Sequence, residues 1–439
     1  MGIDERLLKL AKFAAAAQKT YGHELVSVAD QIQTLDHDRI PTGSLSMDYV
    51  TGGGVPRGRV TMLWGEKSSG KTTHTSRICG NAQNLCRHCW RPVKGLVVQE
   101  IPGDERKVLV DLMGDGAPTH RAVGKCDCVA KGIWNPPMLT FLTADGKAKP
   151  ETETQYATRL AQLKENSFGE FIVMYLDVEG AVDLSWMRRV GVDTRRLWLC
   201  RPEFAEQGID LADTMMRTGE VDLLVIDSLA MLTPMTEIEE STEKWQQGLQ
   251  ARLLNKAVRK WIVSINEMAN TTGLPPTMIW IQQVRKKIGM AFGNPNVKPG
   301  GEGQGFATSI ELFCWASQFK TEDEQIGPTK EDTVTHALDV KLNFKCEKNK
   351  TAPAHKTGFY RMSLRSDDEG YKMGDVMEYD YVFEAAKRFG IVTKDGSTYF
   401  AGTKQYKTQD AIRTAWRADA GEYRAIQLKI LARLQEKEK

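Results

Sequence analysis

The chain has 439 residues, 41% of them hydrophobic and 26% charged, with a formal net charge of +2. That length asks for more than one domain, and the composition is that of an ordinary globular protein. The small net charge excludes an overall basic field as the means of holding nucleic acid and leaves only local patches.

In chain order, residues 3–20 predict a helix: Leu7, Leu8, Ala11, Ala14 and Ala15 share one face, which needs cover from the chain's own core or from a neighbouring subunit. The start has no secretory core and no apolar run approaches the roughly 18 residues of a membrane span, so a cytoplasmic protein without membrane contact is expected. "RVTMLW" (59–64) reads as a strand leading into a glycine loop and a helix. "EFIVMYLDVEG" (170–180), "VDLLVIDSLAML" (221–232), "TMIWIQQV" (277–284) and "THALDVKLNFKCEKNK" (335–350) read as further strands. Near-continuous apolar strands separated by helical segments predict an α/β fold with a buried, mostly parallel sheet. Residues 289–305 hold six glycines and two prolines, which predicts a long loop that is neither helix nor strand. Residues 143–153 are the most linker-like stretch, and after about residue 375 two helices are expected, over 379–392 and 409–435.

"GEKSSGKT", residues 65–72, fits G-x-x-x-x-G-K-[ST] in the strand–loop–helix context the motif requires. Gly65, Glu66, Lys67, Ser68, Ser69, Gly70, Lys71 and Thr72, with Thr73 after them, are the expected nucleotide-binding stretch. Its glycines let backbone N–H groups approach phosphates, Lys71 reaches the β- and γ-phosphates of ATP, and the Thr72 hydroxyl can hold Mg²⁺. Asp227 ends an apolar run, where a carboxylate can reach the same metal through its water shell. Glu179 also follows a strand and could deprotonate an attacking water; Asp177 competes for that role, and spacing alone does not choose between them.

These residues resemble the bacterial RecA recombinases, including those carried by phages. "TGSLSMD" (42–48), "GEKSSGKTT" (65–73), "EIEES" (237–241), "VRKKIGMAFGNP" (284–295) and "KNKTAP" (348–353) stand in that family's order. The resemblance implies a RecA-like P-loop ATPase core with Glu179 as catalytic base. It places Asp183 and Trp186 beside the adenine, the tryptophan standing where the family usually has tyrosine. It makes Gln283 the γ-phosphate sensor, and Lys348 and Lys350 cations that reach a neighbouring subunit's ATP. Two loops would meet single-stranded DNA. The first, about 238–250, precedes Arg252 and Arg259; the second, 285–305, supplies Arg285, Lys286, Lys287, Phe292, Lys298, Gly300 and Gly301. A basic, glycine-rich loop with an aromatic fits single-strand binding on its own chemistry, although a mobile surface loop has the same composition. Phe306 would dock into the next subunit of a head-to-tail helical filament. Glu302, Gly305 and Gln247 depart from the family pattern, in place of asparagine, lysine and methionine.

Lys71 and Glu179 stand 108 positions apart, far more than a helix and a turn require, and the excess carries two close cysteine pairs. Cys86 and Cys89 form C-x2-C; Cys126 and Cys128, 36 residues on, form C-x-C. Two such pairs can supply a tetrahedral structural Zn²⁺ site, with His88 or His120 as substitute ligands, and "LVVQEI" and "KVLVDL" between them suggest a small hairpin. Four reduced thiols or redox pairs are the alternatives. The expected organisation is an N-terminal oligomerisation helix and linker (1–35), a core (36–372) interrupted by an insertion with the zinc module (80–168), and a small C-terminal domain (373–439). The expected function is ATP-dependent pairing and strand exchange between single-stranded DNA and homologous duplex; a RecA-core helicase or motor, or an ATP-gated DNA-coating filament, are the alternatives.

Overall fold

A computed structural model describes residues 38–87, 171–239, 248–286, 296–299, 303–325, 332–366 and 371–436 except 403, with short stretches between 97 and 157 and residues 12, 13, 16 and 19. The frame is a nine-stranded sheet. Its strands are β1 (Val60–Gly65), β2 (Val173–Asp177), β3 (Leu197–Cys200), β4 (Leu223–Asp227), β5 (Thr277–Gln283), β6 (Ile310–Gln325), β7 (Thr333–Asn349), β8 (Thr357–Ser363) and β9 (Val376–Met377). The spatial order is β3-β2-β4-β5-β1-β6-β7-β8-β9. The first six strands are parallel, and β7, β8 and β9 continue antiparallel.

The helices are α1 (Leu45–Thr51), α2 (Lys71–Ala82), α3 (Leu184–Arg189), α4 (Ala205–Arg217), α5 (Met235–Glu239), α6 (Leu249–Thr272), α7 (Gly303–Ala307), α8 (Tyr379–Arg388), α9 (Gln409–Ala418) and α10 (Ala420–Glu436). Both sheet faces are covered, which is why the central strands are apolar throughout rather than alternating. Leu63, Val173, Tyr175, Val225 and Ile279 point to one face, against Ile78 and Ala82 of α2. Met62, Trp64, Met174, Leu224, Ile226 and Trp280 point to the other, against Ile209 of α4 and Leu254 and Trp261 of α6. The period of two along each strand produces this division.

The C-terminal unit packs α8, α9 and α10 around a small antiparallel sheet (Val392–Asp395, Thr398–Ala401, Lys404–Tyr406). Its core of Phe383, Ile412, Trp416 and Ile430 includes Leu45 of α1, so it is seated on the main domain. The seat has a polar centre. Glu378, 3% exposed, accepts from the Leu45 amide at 2.9 Å and from the Ser44 hydroxyl.

Several expectations are corrected. The helix expected over 409–435 is two helices, because the Asp419 carboxylate accepts from the Glu422 amide at 2.8 Å and starts α10 afresh. The helix expected over 379–392 stops at Arg388, and Val392 opens a strand. The segment 289–305 is not wholly without regular structure: Asn296–Val297 pairs with Arg285–Lys286, and α7 begins at Gly303. A strand pair, Thr140–Leu142 with Ala148–Pro150, occupies part of the linker-like stretch. "LVVQEI" and "KVLVDL" do pair, Val97–Ile101 running antiparallel to Asp104–Val110. Of the N-terminal helix only Lys12, Phe13, Ala16 and Lys19 are described, and they are helical; its apolar face lies outside the described residues.

Candidate functional site

Register brings the chemistry together. Across the parallel sheet Asp227 stands opposite Asp177, and Gln283 opposite Gly65. The carboxyl ends of β1, β2, β4 and β5 therefore finish on one line, where ligands bind in open α/β sheets.

The phosphate loop joins β1 to α2. Gly65 must be glycine: its φ is +155°, and a Cβ there would lie 2.0 Å from the Cys314 carbonyl oxygen on β6. Gly70 caps α2 at φ +80°, leaving the helix's first amides facing the loop. Lys71 Nζ donates to the carbonyls of Gly65 (3.1 Å) and Glu66 (2.5 Å) and to Ser69 Oγ (3.2 Å). Burial pulls its pKa below the usual lysine value. Glu66, Lys67 and Ser68 are exposed at the mouth. The cleft, about 340 Å³, runs from Ser68–Thr73 to an apolar wall of Phe319, Val340, Leu342, Met362 and Leu364, which no motif announced.

Asp227 is the hub of the metal side. Its Oδ2 accepts from Thr72 Oγ1 at 2.9 Å and from the Tyr175 hydroxyl at 2.7 Å. Burial raises its pKa, against those two hydrogen bonds, and pushes the Tyr175 hydroxyl well above its ordinary value. A hydroxyl and a buried carboxylate in direct contact are hard oxygen donors that fit Mg²⁺. The Asp227 carbonyl also accepts from the amides of Val178 (2.7 Å) and Glu179 (3.3 Å), fixing the turn that carries the candidate base.

The two competing acids separate. Asp177 is 2% exposed, accepts from the amides of Ala181 and Val182, and pairs with Arg201 at 3.0 Å. Glu179 is exposed; its Oε1 accepts from Ser228 Oγ at 2.5 Å and from Gln283 Nε2 at 2.6 Å. Asp183 caps α3 through the amides of Ser185 and Trp186, and the Ser185 hydroxyl with those amides holds its carboxyl below the usual range. Trp186 Nε1 donates to Thr73 Oγ1 at 3.1 Å, so the tryptophan leans on the phosphate-loop helix.

From Gln283 the chain passes at once into the basic segment. Arg285 is exposed and pairs in backbone register with Val297, and Lys286 with Asn296. Lys287, Phe292, Gly300, Gly301 and Glu302 lie outside the described residues, as do Trp245 and Gln247 of the first loop. Arg252 and Arg259 are exposed on α6, and neither makes an ion pair among the described residues. Lys298 is turned inward: it pairs with Glu311 and lies 4.5 Å from the Trp64 ring centre. Phe306 is 76% exposed. Lys348 donates to the Gly305 carbonyl and Lys350 to that of Phe306 at 2.9 Å. Burial and the neighbouring Lys350 lower the Lys348 pKa. Lys348 stands opposite Glu311, itself opposite Met62, whereas the phosphate loop leaves β1 at Gly65. Three residues of strand, about 10 Å, separate those levels along the sheet.

Cys89, Cys126 and Cys128, with His88 and His120, lie outside the described residues; Cys86 is buried just beyond α2. Among the described residues no group of three or more His, Cys, Asp or Glu side chains could hold a metal, and no helix is long and apolar enough to cross a membrane. Cys79, Cys314 and Cys346 are buried, and Cys200 is half-buried.

The family model for the RecA N-terminal domain matches residues 9–90 and 149–362. The chain belongs to the RecA family. Curated RecA proteins align along most of it: 28% identity with that of Cytophaga hutchinsonii over 98% of this chain and 92% of the relative. For Aquifex pyrophilus the figures are 26%, 92% and 85%, and for Syntrophus aciditrophicus 30%, 83% and 74%. As a RecA-family member the chain is an ATP-dependent recombinase and a DNA-dependent ATPase, with ATP and Mg²⁺ as cofactors. Single-stranded DNA binding and assembly with further copies of itself come with that family. What RecA motifs left unmarked are Tyr175, Ser228 and Arg201, which hold the named acids in place; Tyr175 alone gave a signal, as a polar-tipped residue two before an acid on a buried strand.

Proposed function

We propose that this protein polymerises head to tail on single-stranded DNA with ATP and Mg²⁺, pairs that strand with homologous duplex, and releases it as ATP is hydrolysed. The observation that carries this reading is the 2.6 Å hydrogen bond from Gln283 to Glu179, made by a strand that runs directly into the basic loop at Arg285. Glu179 is the general base, because Asp177 is consumed by Arg201 and two amides. Thr72 and Asp227 hold Mg²⁺, which supplies charge neutralisation at the phosphates when bound. Lys71 binds the phosphates, and Trp186 and Asp183 border the base. Lys348 and Lys350 serve the neighbouring subunit, and their distance from their own phosphate loop supports that assignment. Arg252, Arg259, Arg285 and the second loop hold DNA through its phosphates, and sequence is read by base pairing.

The domain boundaries belong to the same reading: the family match breaks at 91–148, inside the proposed insertion 80–168. The four cysteines within that insertion are assigned to a structural Zn²⁺ on their spacing. The setting is the cytoplasm of a bacterium or of a phage-infected host.

A strand-invasion assay with ATP, Mg²⁺, single-stranded DNA and homologous supercoiled duplex tests the proposal. Joint molecules are expected with homologous DNA and none with heterologous DNA; duplex unwinding without joint molecules would overturn it in favour of a motor.

A further inference from the structure

A polar network lies where the second loop returns to the sheet, and none of the roles above uses its Glu311, Thr308 or Gln282. Glu311 on β6 is 4% exposed. Lys298, at the start of the returning limb, pairs with its Oε2. The Thr308 hydroxyl donates to its Oε1 at 2.5 Å. On the far side of Thr308 stands Lys348, whose Nζ reaches Thr308 Oγ1 at 3.5 Å and donates to the Gly305 carbonyl. A carboxylate this deep is unfavourable unless every oxygen is satisfied, and here the two oxygens are satisfied by two different segments. One partner belongs to the basic loop, and the other touches a lysine of the subunit interface.

Gln282 strengthens the same joint. It is fully buried, and its Nε2 donates to the Pro299 carbonyl at 3.0 Å and to Gln304 Oε1 at 3.1 Å. Neighbouring side chains on a strand point to opposite faces, so β5 sends Gln283 to Glu179 and Gln282 to the limb that carries Lys298. The limb is thereby held at both ends, with Lys298 the charged group left to exchange partners. Its side chain keeps 23% of its surface exposed. An ammonium is a compact charge with rotatable donors, which a carboxylate and a phosphate satisfy alike.

We propose that Glu311 is a positioning residue through which DNA binding sets the rate of ATP turnover. A phosphate of single-stranded DNA competes with Glu311 for Lys298, and the change at the carboxylate passes through Thr308 to Lys348. This rests on the assignments of the second loop to DNA and of Lys348 to the neighbouring subunit's ATP. When Lys298 moves to a phosphate, Glu311 remains buried, and Lys348 is the cation next in line beyond Thr308.

Three variants of the full chain test this by single-stranded DNA affinity and by the ratio of DNA-stimulated to DNA-free ATP hydrolysis. Glu311→Gln keeps the shape and removes the competitor. It is expected to bind single-stranded DNA about fivefold more tightly, the scale of one partly exposed ion pair. Its DNA-free rate should rise, so that the ratio falls. Lys298→Gln in the same background should remove the gain in affinity. Thr308→Val breaks the link without changing charge; it should lower the ratio while leaving DNA affinity at the wild-type value, which a merely structural role would not do. Wild-type ratios in Glu311→Gln and Thr308→Val would overturn the inference. Should Glu311→Gln not fold, Thr308→Val decides alone. A wild-type protein without DNA-stimulated hydrolysis would instead sink the underlying functional reading.

Discussion

Glu179 and Gln283 stand 104 positions apart in the chain and meet in a 2.6 Å hydrogen bond. The amide assigned to the γ-phosphate and the carboxylate assigned to activating water are thus in contact, and a group that draws Gln283 away leaves the carboxylate with Ser228 as its remaining donor. Glu179→Gln is expected to lower ATP turnover by about 10²–10⁴-fold, the usual contribution of a general base. Nucleotide affinity should stay close to wild type, because Glu179 is exposed and bears no load in the core. Single-turnover hydrolysis measured beside ATP binding checks this; unchanged turnover would remove the base assignment.

Asp227 serves Thr72 with one oxygen while its carbonyl holds the Glu179 turn. Asp227→Asn keeps the shape and removes the charge that favours Mg²⁺. The Mg²⁺ concentration for half-maximal ATP hydrolysis is expected to rise by about tenfold or more, the effect typical of losing a partner in the metal's shell. Tyr175→Phe removes one hydrogen bond to the same oxygen and should shift the Mg²⁺ requirement less. A magnesium titration of both variants is the measurement, and an equal shift in the two would argue against Asp227 as the metal-side carboxylate.

Glu378 joins the C-terminal unit to α1 as a buried acid. Burial raises its pKa from 4.5 to about 7, against the hydrogen bonds from Ser44, Leu45 and Ser46. The folded state therefore binds the proton more tightly than the unfolded chain does. The stabilisation is fully present below about pH 4.5 and is lost as pH rises through about 7. A shift of that size corresponds to at most about 3 kcal/mol. Glu378→Gln, which keeps a neutral group there, should be less sensitive to pH. Between pH 5.5 and 8 the Tm difference, variant minus wild type, should move in the variant's favour, as read by thermal melts in matched buffers.

The parallel half of the sheet was legible because its strands are buried on both faces, and burial writes itself as "VTMLW", "VMYLD", "LLVID" and "TMIWIQQ". Acids and amides that end or follow such runs fall on the carboxyl edge, which is where Asp227, Glu179 and Gln283 stand. The antiparallel half was harder. The outer part of β6 carries Lys320, Glu322, Asp323 and Glu324, which are exposed and leave no apolar signature. Partners distant in sequence were not legible at all: nothing near Lys298 announces Glu311, with which it pairs.

The cysteine spacing carries its own test. About one zinc per chain is expected by elemental analysis of protein purified without added metal, the ratio of a four-thiolate site. Cys126→Ser should lose the zinc. ATP hydrolysis should survive in that variant, because Glu179 and Asp227 hold their positions through β2 and β4 rather than through the cysteine-bearing segment. A folded wild-type protein without zinc would remove the assignment.

Arg252 and Arg259 lie two turns apart on one exposed face of α6, about 10 Å along the axis. Lys260, beside them, is held by Asp210 at 2.7 Å and Asp213 at 3.3 Å. Between Arg252 and Arg259, Lys256 is also exposed and makes no ion pair among the described residues, so the helix offers three uncommitted cations and one ammonium already paired, which separates their expected contributions to DNA binding. Each phosphate contact to a single strand changes the slope of log affinity against log salt by about 0.7. Arg259→Ala should reduce the slope by about that amount and weaken binding equally for unrelated sequences, as a backbone contact requires. Arg252→Ala should do the same. Lys260→Ala should leave the slope unchanged, because its charge is neutralised in the free protein. Fluorescence-anisotropy titrations of a labelled oligonucleotide at several salt concentrations measure all three. A slope change for Lys260→Ala equal to that for Arg259→Ala would mean that the acidic partners let go on binding and that Lys260 joins the other cations of α6 on DNA.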